Sequence, residues 1–322
     1  MNARDEWLAA RRLGVGGSDI GAIMGLSPYR TPMDVWLDKR GEPQPISNAE
    51  AMYWGTVLED VVATEYAKRT GYKVQRINGM MLHPQRPWMI ANIDRAVVNP
   101  AVAGNVRWRD GRLTTDRILE CKTANGFMAP QWGEPGSDNV PDGYLLQCQW
   151  YMAVTGTEVA DLAVLIGGSD FRTYTIERNE TLIEQMIEAG ATFWQGVISG
   201  VAPDPQTVAD AQRKWPQHAP GVSVIVDSTV AGACDALAEI ALERKRIEAV
   251  EDGFKTHVLK NLGAAEEATY MGRKLCTWKT QETARIDTKA LKEAHPDIAQ
   301  QFTTKTTSRV FRLAKQTTKE SA

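Results

Sequence analysis

The stretch Ile118-Leu119-Glu120-Cys121-Lys122-Thr123, with Met89-Ile90-Ala91-Asn92-Ile93-Asp94-Arg95-Ala96-Val97-Val98 upstream of it, decides how this chain is read. Both runs are short and rich in branched side chains, the composition of buried strands. Alternation with period two puts Glu120 and Lys122 on one face and Leu119 and Cys121 on the other. In the upstream run a lone carboxylate sits among apolar neighbours, and burying it is costly unless it meets a metal, a hydrogen-bond donor or an opposite charge. Asp94, Glu120 and Lys122 are therefore the conspicuous residues. Taken alone, Glu-x-Lys describes equally well an ion pair on a solvated strand face.

On the N-terminal side the pattern is helical. Residues 5–12 read as a short helix, Gly14, Gly16 and Gly17 impose a turn, and Ser18 and Asp19 are placed to cap a helix running through Ile20, Ile23 and Met24. Thr31-Pro32 opens another. A longer amphipathic helix over residues 49–69 carries Trp54, Leu58, Val61, Val62 and Tyr66 as its stripe, Glu59 beside the stripe and Gly71 as its stop. Residues 73–77 and 80–83 then join the two opening runs as strands of one sheet. Between those runs, residues 99–117, with Gly104 and Asp110-Gly111, read as an exposed hairpin.

On the C-terminal side a helix over 143–154, strands over 159–166 and 172–176 and a long helix over 179–199 complete an α/β or α+β body. Pro203, Pro205, Pro216 and Pro220 mark a connector. The division this predicts is a body over 1–203, a connector over 204–228 and a smaller α+β appendage over 229–322. Within the appendage a long helix (229–262), a strand (269–278), a helix (287–294) and a strand (304–313) are expected.

Composition bounds the function. The 322 residues are 43% hydrophobic with a net charge of −3, enough for a sizeable core and against bulk electrostatic coating of nucleic acid. The charge is uneven: from Lys255 onward there are 13 Lys and Arg against 7 Asp and Glu, leaving the first 254 residues at −9. A basic tail is compatible with patch-wise contact to phosphate and equally with a solvated surface. Cys121, Cys148, Cys234 and Cys276 lie apart, without zinc-ligand spacing or a disulfide framework. No apolar run suits a bilayer and no secretory signal is evident, so a cytoplasmic protein, of a bacterial or phage-infected cell, is expected.

Hydrolysing a phosphodiester at neutral pH calls for hard divalent metal held by a few carboxylates at a sheet edge, with an amine beside it for the attacking water and the developing charge. Asp94, Glu120 and Lys122 have that composition. They stand third in an ordered series that resembles the lambda exonuclease family, in its YqaJ-type viral recombinase branch of the PD-(D/E)xK nuclease superfamily. The series covers residues 5–200: Arg11-Arg12-Leu13-Gly14-Val15-Gly16-Gly17-Ser18-Asp19-Ile20 with Gly25-Leu26-Ser27-Pro28-Tyr29; Trp54-Gly55-Thr56-Val57-Leu58-Glu59; Asp94 with Glu120-Cys121-Lys122; and Tyr144-Leu145-Leu146-Gln147-Cys148-Gln149-Trp150-Tyr151-Met152. Ile93 stands where the family typically has Pro before the Asp.

The resemblance implies a restriction-endonuclease-like core with a central mixed sheet flanked by helices. It implies that Asp94, Glu120 and the Cys121 carbonyl bind two Mg2+ (or Mn2+) ions, with Glu59 in support. Lys122 would act on the nucleophilic water and Gln147 would lie close by. Arg12 and Ser18 would bind a 5′-terminal phosphate, with the choice between Arg11 and Arg12 open because the spacing to Ser18 is one residue short. The activity implied is 5′-to-3′ exonuclease action on double-stranded DNA ends in a phage or prophage recombination system. The 3′ overhangs would pass to a single-strand annealing protein, and the nuclease would work as a ring-shaped homotrimer. The alternatives are an endonuclease or structure-specific nuclease on the same fold, and a non-catalytic DNA-binding scaffold.

Overall fold

The computed structural model describes residues 3–42, 49–99, 101 and 105–314. It divides into two units, Met1–Lys214 and Trp215–Ala322.

The first unit opens with α1 (Ala3–Arg11), α2 (Gly17–Ile23), α3 (Pro32–Lys39) and α4 (Ala49–Thr70). Strands β1 (Val74–Gln75), β2 (Met81–Leu82), β3 (Ile90–Ala91), β4 (Arg95–Val97), β5 (Trp108–Arg109), β6 (Arg112–Leu113) and β7 (Arg117–Ala124) follow, then α5 (Asp142–Thr155), β8 (Val159–Ile166), β9 (Asp170–Glu177), α6 (Glu180–Ser199) and α7 (Val208–Lys214). Five strands form the central sheet in the order β1-β4-β7-β8-β9. All neighbours are antiparallel except β7 and β8. A parallel pair needs a crossover, which α5 supplies. The result is the mixed α+β body with a flanked central sheet that the sequence predicted.

Period two in β7 sorts its side chains between the two layers. Leu119 and Cys121 pack with Val62, Ala63 and Tyr66 of α4. Ile118 faces the larger cluster that contains Leu146, Cys148 and Trp150 of α5 and Ile183 and Met186 of α6. The expected α4 stripe is narrower than predicted: Val62 and Tyr66 are buried, while Trp54 and Val61 are exposed. Gly71, at φ +75, stops the helix as anticipated.

One expected strand is broken. Residues 89–98 split into β3, which pairs with β2 in a separate small sheet, and β4, which joins the main one. Asn92, Ile93 and Asp94 lie in the step between them. Apolar composition registers burial but not the change of sheet, so the run reads as continuous in sequence. The hairpin forms as expected, β5 to β6, with Asp110 and Gly111 both at positive φ, the geometry a two-residue turn of the primed type requires. Gly104 lies outside the described residues.

The glycine turn after α1 is tightly built. Val15 N–H donates to the Trp88 carbonyl (2.6 Å), Ile90 N–H to the Val15 carbonyl (2.9 Å), and the buried Trp150 indole N–H is shared between the Val15 and Ile90 carbonyls at 3.1 and 3.2 Å. A Cβ on Gly14 would stand 2.5 Å from the Trp88 carbonyl oxygen. Because backbone has to move to relieve that contact, Gly14→Ala is expected to cost about 1–3 kcal/mol, read as a lower midpoint in thermal and urea unfolding.

Residues 204–214, anticipated as connector, belong to the first unit. Asp210 of α7 is buried and accepts from the Thr31 hydroxyl at 3.0 Å, while Arg213 reaches Asp34 of α3 at 2.5 Å.

The second unit consists of α8 (Ser228–Leu262), a hairpin of β10 (Glu267–Tyr270) and β11 (Arg273–Thr277), α9 (Thr288–Ala294) and α10 (Pro296–Gln301). The long helix and the helix near 287 are where the sequence put them. The strand expected over 304–313 has no regular structure: its alternation supplies a pattern, but among the described residues no strand edge pairs with it. The last residues of the expected appendage, 315–322, lie outside the described residues. Among the described residues no helix is long and apolar enough to cross a membrane.

Candidate active site

Asp94 stands at the step into β4, and its Oδ2 accepts the Cys121 N–H at 2.8 Å. Ladder pairing of β4 with β7 is recorded at Leu119 and Ile118. Beyond it, the Cys121 amide is turned toward Asp94 instead. In an extended strand the N–H and C=O of one residue point to the same side, so the Cys121 carbonyl also projects toward Asp94.

Glu120 is 3% exposed. Its Oε1 accepts from Lys122 Nζ and from Gln147 Nε2, both at 2.6 Å. Its Oε2 is buried without a hydrogen-bond partner among the described residues. Lys122 also stands over the Tyr144 ring, 5.2 Å from its centroid, a cation–π contact that holds the ammonium against α5. Glu120 and Lys122 share one face of β7 as the periodicity predicts, and the structure brings Asp94 and Gln147, both singled out in the sequence, to the same place.

The electrostatics favour an added cation. Burial pushes the Glu120 carboxyl above its ordinary range, and the neighbouring Asp94 charge adds to the effect. Burial likewise raises Asp94 against the opposing pull of Lys122. For Lys122 burial acts downward, but Glu120 and Asp94 outweigh it and hold the amine raised. One buried and one half-buried carboxylate beside one ammonium make a centre short of positive charge. An unpartnered buried carboxylate oxygen, a second carboxylate and a projecting carbonyl are the hard oxygen donors a divalent cation takes, so these residues fit such a group.

Glu59 adds its charge to the upward push on Asp94 and Glu120 but hydrogen-bonds to arginine. Its Oε1 is 2.5 Å from Arg95 Nη1 and 3.3 Å from Arg76 Nη2. Arg95, buried next to Asp94, also contacts Asp60 and the Asp94 carbonyl. A buried guanidinium needs counter-charge, and Glu59 supplies it. Among the described residues no group of three or more His, Cys, Asp or Glu could hold a metal ion by itself.

The N-terminal block forms a second, adjoining feature. Arg11 Nη2 donates to Ser18 Oγ at 2.7 Å, whereas Arg12 Nε faces Asp38 of α3 at 3.8 Å. Of the two arginines left open by the sequence, Arg11 is the one brought to Ser18. Ser18 is exposed inside the first turn of α2 and Gly16 is the cap, a correction to the capping role expected for Ser18. Asp19 does more than cap. Fully buried, it accepts from the Gly16 N–H (3.0 Å) and lies 2.6 Å from Lys39 Nζ, 3.2 Å from Arg30 and 4.0 Å from Arg11. Burial alone would raise its pKa; the charges of Lys39, Arg11 and Arg30 outweigh burial and lower it to about 2. Sequence reading missed Lys39 and Arg30. Asp19 within an otherwise small and apolar helix was the available signal.

The two features touch through glycine. A Cβ on Gly17 would fall 2.6 Å from Tyr151 Cε1 and 3.0 Å from Gln147 Cγ. The start of α2, carrying Ser18, therefore packs directly on the turn of α5 that holds Gln147 against Glu120.

Comparisons with known proteins identify relatives of this chain. Residues 6–158 match the family described as the YqaJ-like viral recombinase domain. The YqaJ protein of Bacillus subtilis (strain 168) is 34% identical over 317 residues, 96% of this chain and 93% of that protein. Among solved structures, an alkaline exonuclease (LHK-Exo) from Laribacter hongkongensis aligns with 65% of this chain and 97% of its own at 22% identity and a TM-score of 0.47. A phage related exonuclease from Haemophilus somnus 129PT covers 59% and 96% at 12% identity and a TM-score of 0.42. With relatedness extending over nearly its whole length, and with the ordered blocks assembled around one sheet, the chain belongs to the YqaJ-like viral recombinase family.

Proposed function

We propose that this chain is a metal-dependent exonuclease that degrades double-stranded DNA from a 5′ end and leaves 3′ single-strand overhangs for an annealing protein. The observation that carries the reading is Glu120: one oxygen is saturated by Lys122 and Gln147, while the other is buried without a partner among the described residues, beside Asp94.

In this reading Asp94, Glu120 and the Cys121 carbonyl hold Mg2+, with Mn2+ as a substitute and room in the donor set for two ions. The bound metal supplies Lewis-acid neutralisation of the phosphate and lowers the pKa of water. Lys122, its amine held protonated by the two carboxylates, donates a hydrogen bond to the attacking oxygen and balances charge building on the phosphate. Gln147 fixes the Glu120 carboxylate. Glu59 acts at one remove by neutralising Arg95, which grips the Asp94 carbonyl. Ser18 and Arg11 receive the terminal phosphate, and Asp19 holds Arg11 and Arg30 at that position. A ring-shaped homotrimer belongs to the same reading and rests on the resemblance, while a role for residues 229–322 in contacting DNA, a neighbouring subunit or the annealing protein rests on the basic excess of the last part of the chain.

The deciding experiment is digestion of a linear duplex labelled at one end, with a closed circular duplex alongside. Ordered loss from the 5′ end with the circle intact is expected; cutting of the circle would favour an endonuclease. The phosphate pocket gives a sharper expectation. A charge-assisted hydrogen bond is worth about 1.5–3 kcal/mol, so Arg11→Ala should reduce the preference for 5′-phosphate over 5′-hydroxyl ends by roughly 10- to 100-fold. Arg12→Ala, whose side chain faces Asp38, should alter it far less. Equal effects of the two changes would remove Arg11 from the pocket.

A further inference from the structure

We propose that Tyr151 is a positioning residue for the metal centre, acting through the Gln147 amide to keep one Glu120 oxygen free for the cation. The proposal rests on the reading of Glu120 as a metal ligand.

Gln147 Nε2 carries two hydrogens. One is directed at Glu120 Oε1 (2.6 Å), the other at the Tyr151 hydroxyl (3.1 Å), which accepts it. An amide side chain presents either NH2 or oxygen to a neighbour, and the choice is made by its surroundings. The Glu120 carboxylate, which only accepts, selects the NH2 orientation, and the Tyr151 hydroxyl takes the second hydrogen and so fixes the plane of the amide. Glu120 Oε1 is then occupied by two donors, and Oε2 is the atom left over. Without the hydroxyl, the second amide hydrogen loses its acceptor, the amide is no longer held in plane, and its grip on Glu120 Oε1 loosens.

The ring is held from the other side. Tyr151 is 6% exposed, and its Cε1 lies where a Cβ on Gly17 would clash at 2.6 Å. The residue that sets the Gln147 amide is thus clamped by the same glycine that starts the helix bearing Ser18. Tyr151 touches neither metal nor substrate in this scheme, and all its influence passes through Gln147.

The test is Mn2+ binding to the full-length protein without DNA, followed by electron paramagnetic resonance of free Mn2+, for wild type, Tyr151→Phe, Gln147→Leu, the double variant and Glu120→Gln. Losing such an outer hydrogen bond typically weakens metal affinity 10- to 100-fold. Tyr151→Phe, which keeps the ring packed on Gly17, should raise the Mn2+ Kd about tenfold and lower kcat with KM for duplex unchanged. Because Tyr151 works through Gln147, the double variant should bind no worse than Gln147→Leu alone. Wild-type affinity in Tyr151→Phe, with binding lost in Glu120→Gln, would overturn the role of Tyr151 and leave the ligand assignment standing. Additive losses in the double variant would also overturn it. Unchanged affinity in Glu120→Gln would overturn both together.

Discussion

Lys122→Ala should abolish nuclease activity, lowering kcat on a blunt, 5′-phosphorylated duplex by a factor on the order of 10³ or more. The size follows from the number of tasks concentrated on one amine. Lys122 Nζ is 2.6 Å from Glu120 Oε1 and is the ammonium that offsets the Glu120 and Asp94 carboxylates. Removing it deletes a donor for the attacking oxygen and leaves Glu120 more inclined to bind a proton than a metal. Glu120→Gln should produce a loss of similar order through the metal itself. Lys122→Met, which keeps the volume of the stem, should be as inactive as the alanine variant while its circular dichroism spectrum stays close to wild type. Activity within tenfold of wild type in either Lys122 variant would end the catalytic assignment of Lys122.

Asp19→Ala is expected to be among the most destabilising single substitutions in the first unit, by about 3–5 kcal/mol. The Lys39 side chain is 1% exposed and its ammonium has the Asp19 carboxylate at 2.6 Å; deleting the acid strands a buried charge. The same change removes the acceptor for the Gly16 N–H and the anchor for Arg11 and Arg30. Its signature in pH is specific. Asp19 titrates at about 2 in the folded protein against an ordinary value of 3.8, so the unfolded chain takes up the proton first as pH falls. The contribution is complete above the unfolded value and disappears as pH drops through about 2. Urea unfolding followed from pH 7 to pH 2 should therefore show an acid limb in wild type that is shallower in Asp19→Asn. A destabilisation of less than about 1 kcal/mol at pH 7 would mean that Asp19 is not the hub described here.

Much of the fold was legible because its rules are local. Alternation in residues 118–123 sorted Leu119 and Cys121 from Glu120 and Lys122, and the structure puts the two pairs on opposite faces of β7. The Asp110-Gly111 turn, the stop at Gly71 and the helix near 229–262 follow from backbone preferences that neighbours do not override. The order of the blocks identified the family. Legibility ended where a residue's partner is chosen by distant chain. Glu59 sits as expected on α4 but is taken by Arg95, 36 positions away. Arg11 rather than Arg12 meets Ser18 because the glycine turn fixes the relative rotation of α1 and α2.

The sequence by itself determined the strand that carries Glu120 and Lys122, the helices around it and the ordered blocks that mark the family, since periodicity and turn chemistry act within a few residues. Only the tertiary structure decided that Asp94 stands at a break between two sheets with its carboxylate on the Cys121 amide. It likewise decided that Gln147 and Tyr151 close over Glu120, and that Asp19 gathers three cations. The physical reason is common to all of these: a buried charge or amide must find its complement wherever packing places one, and sequence separation sets no limit on where that is.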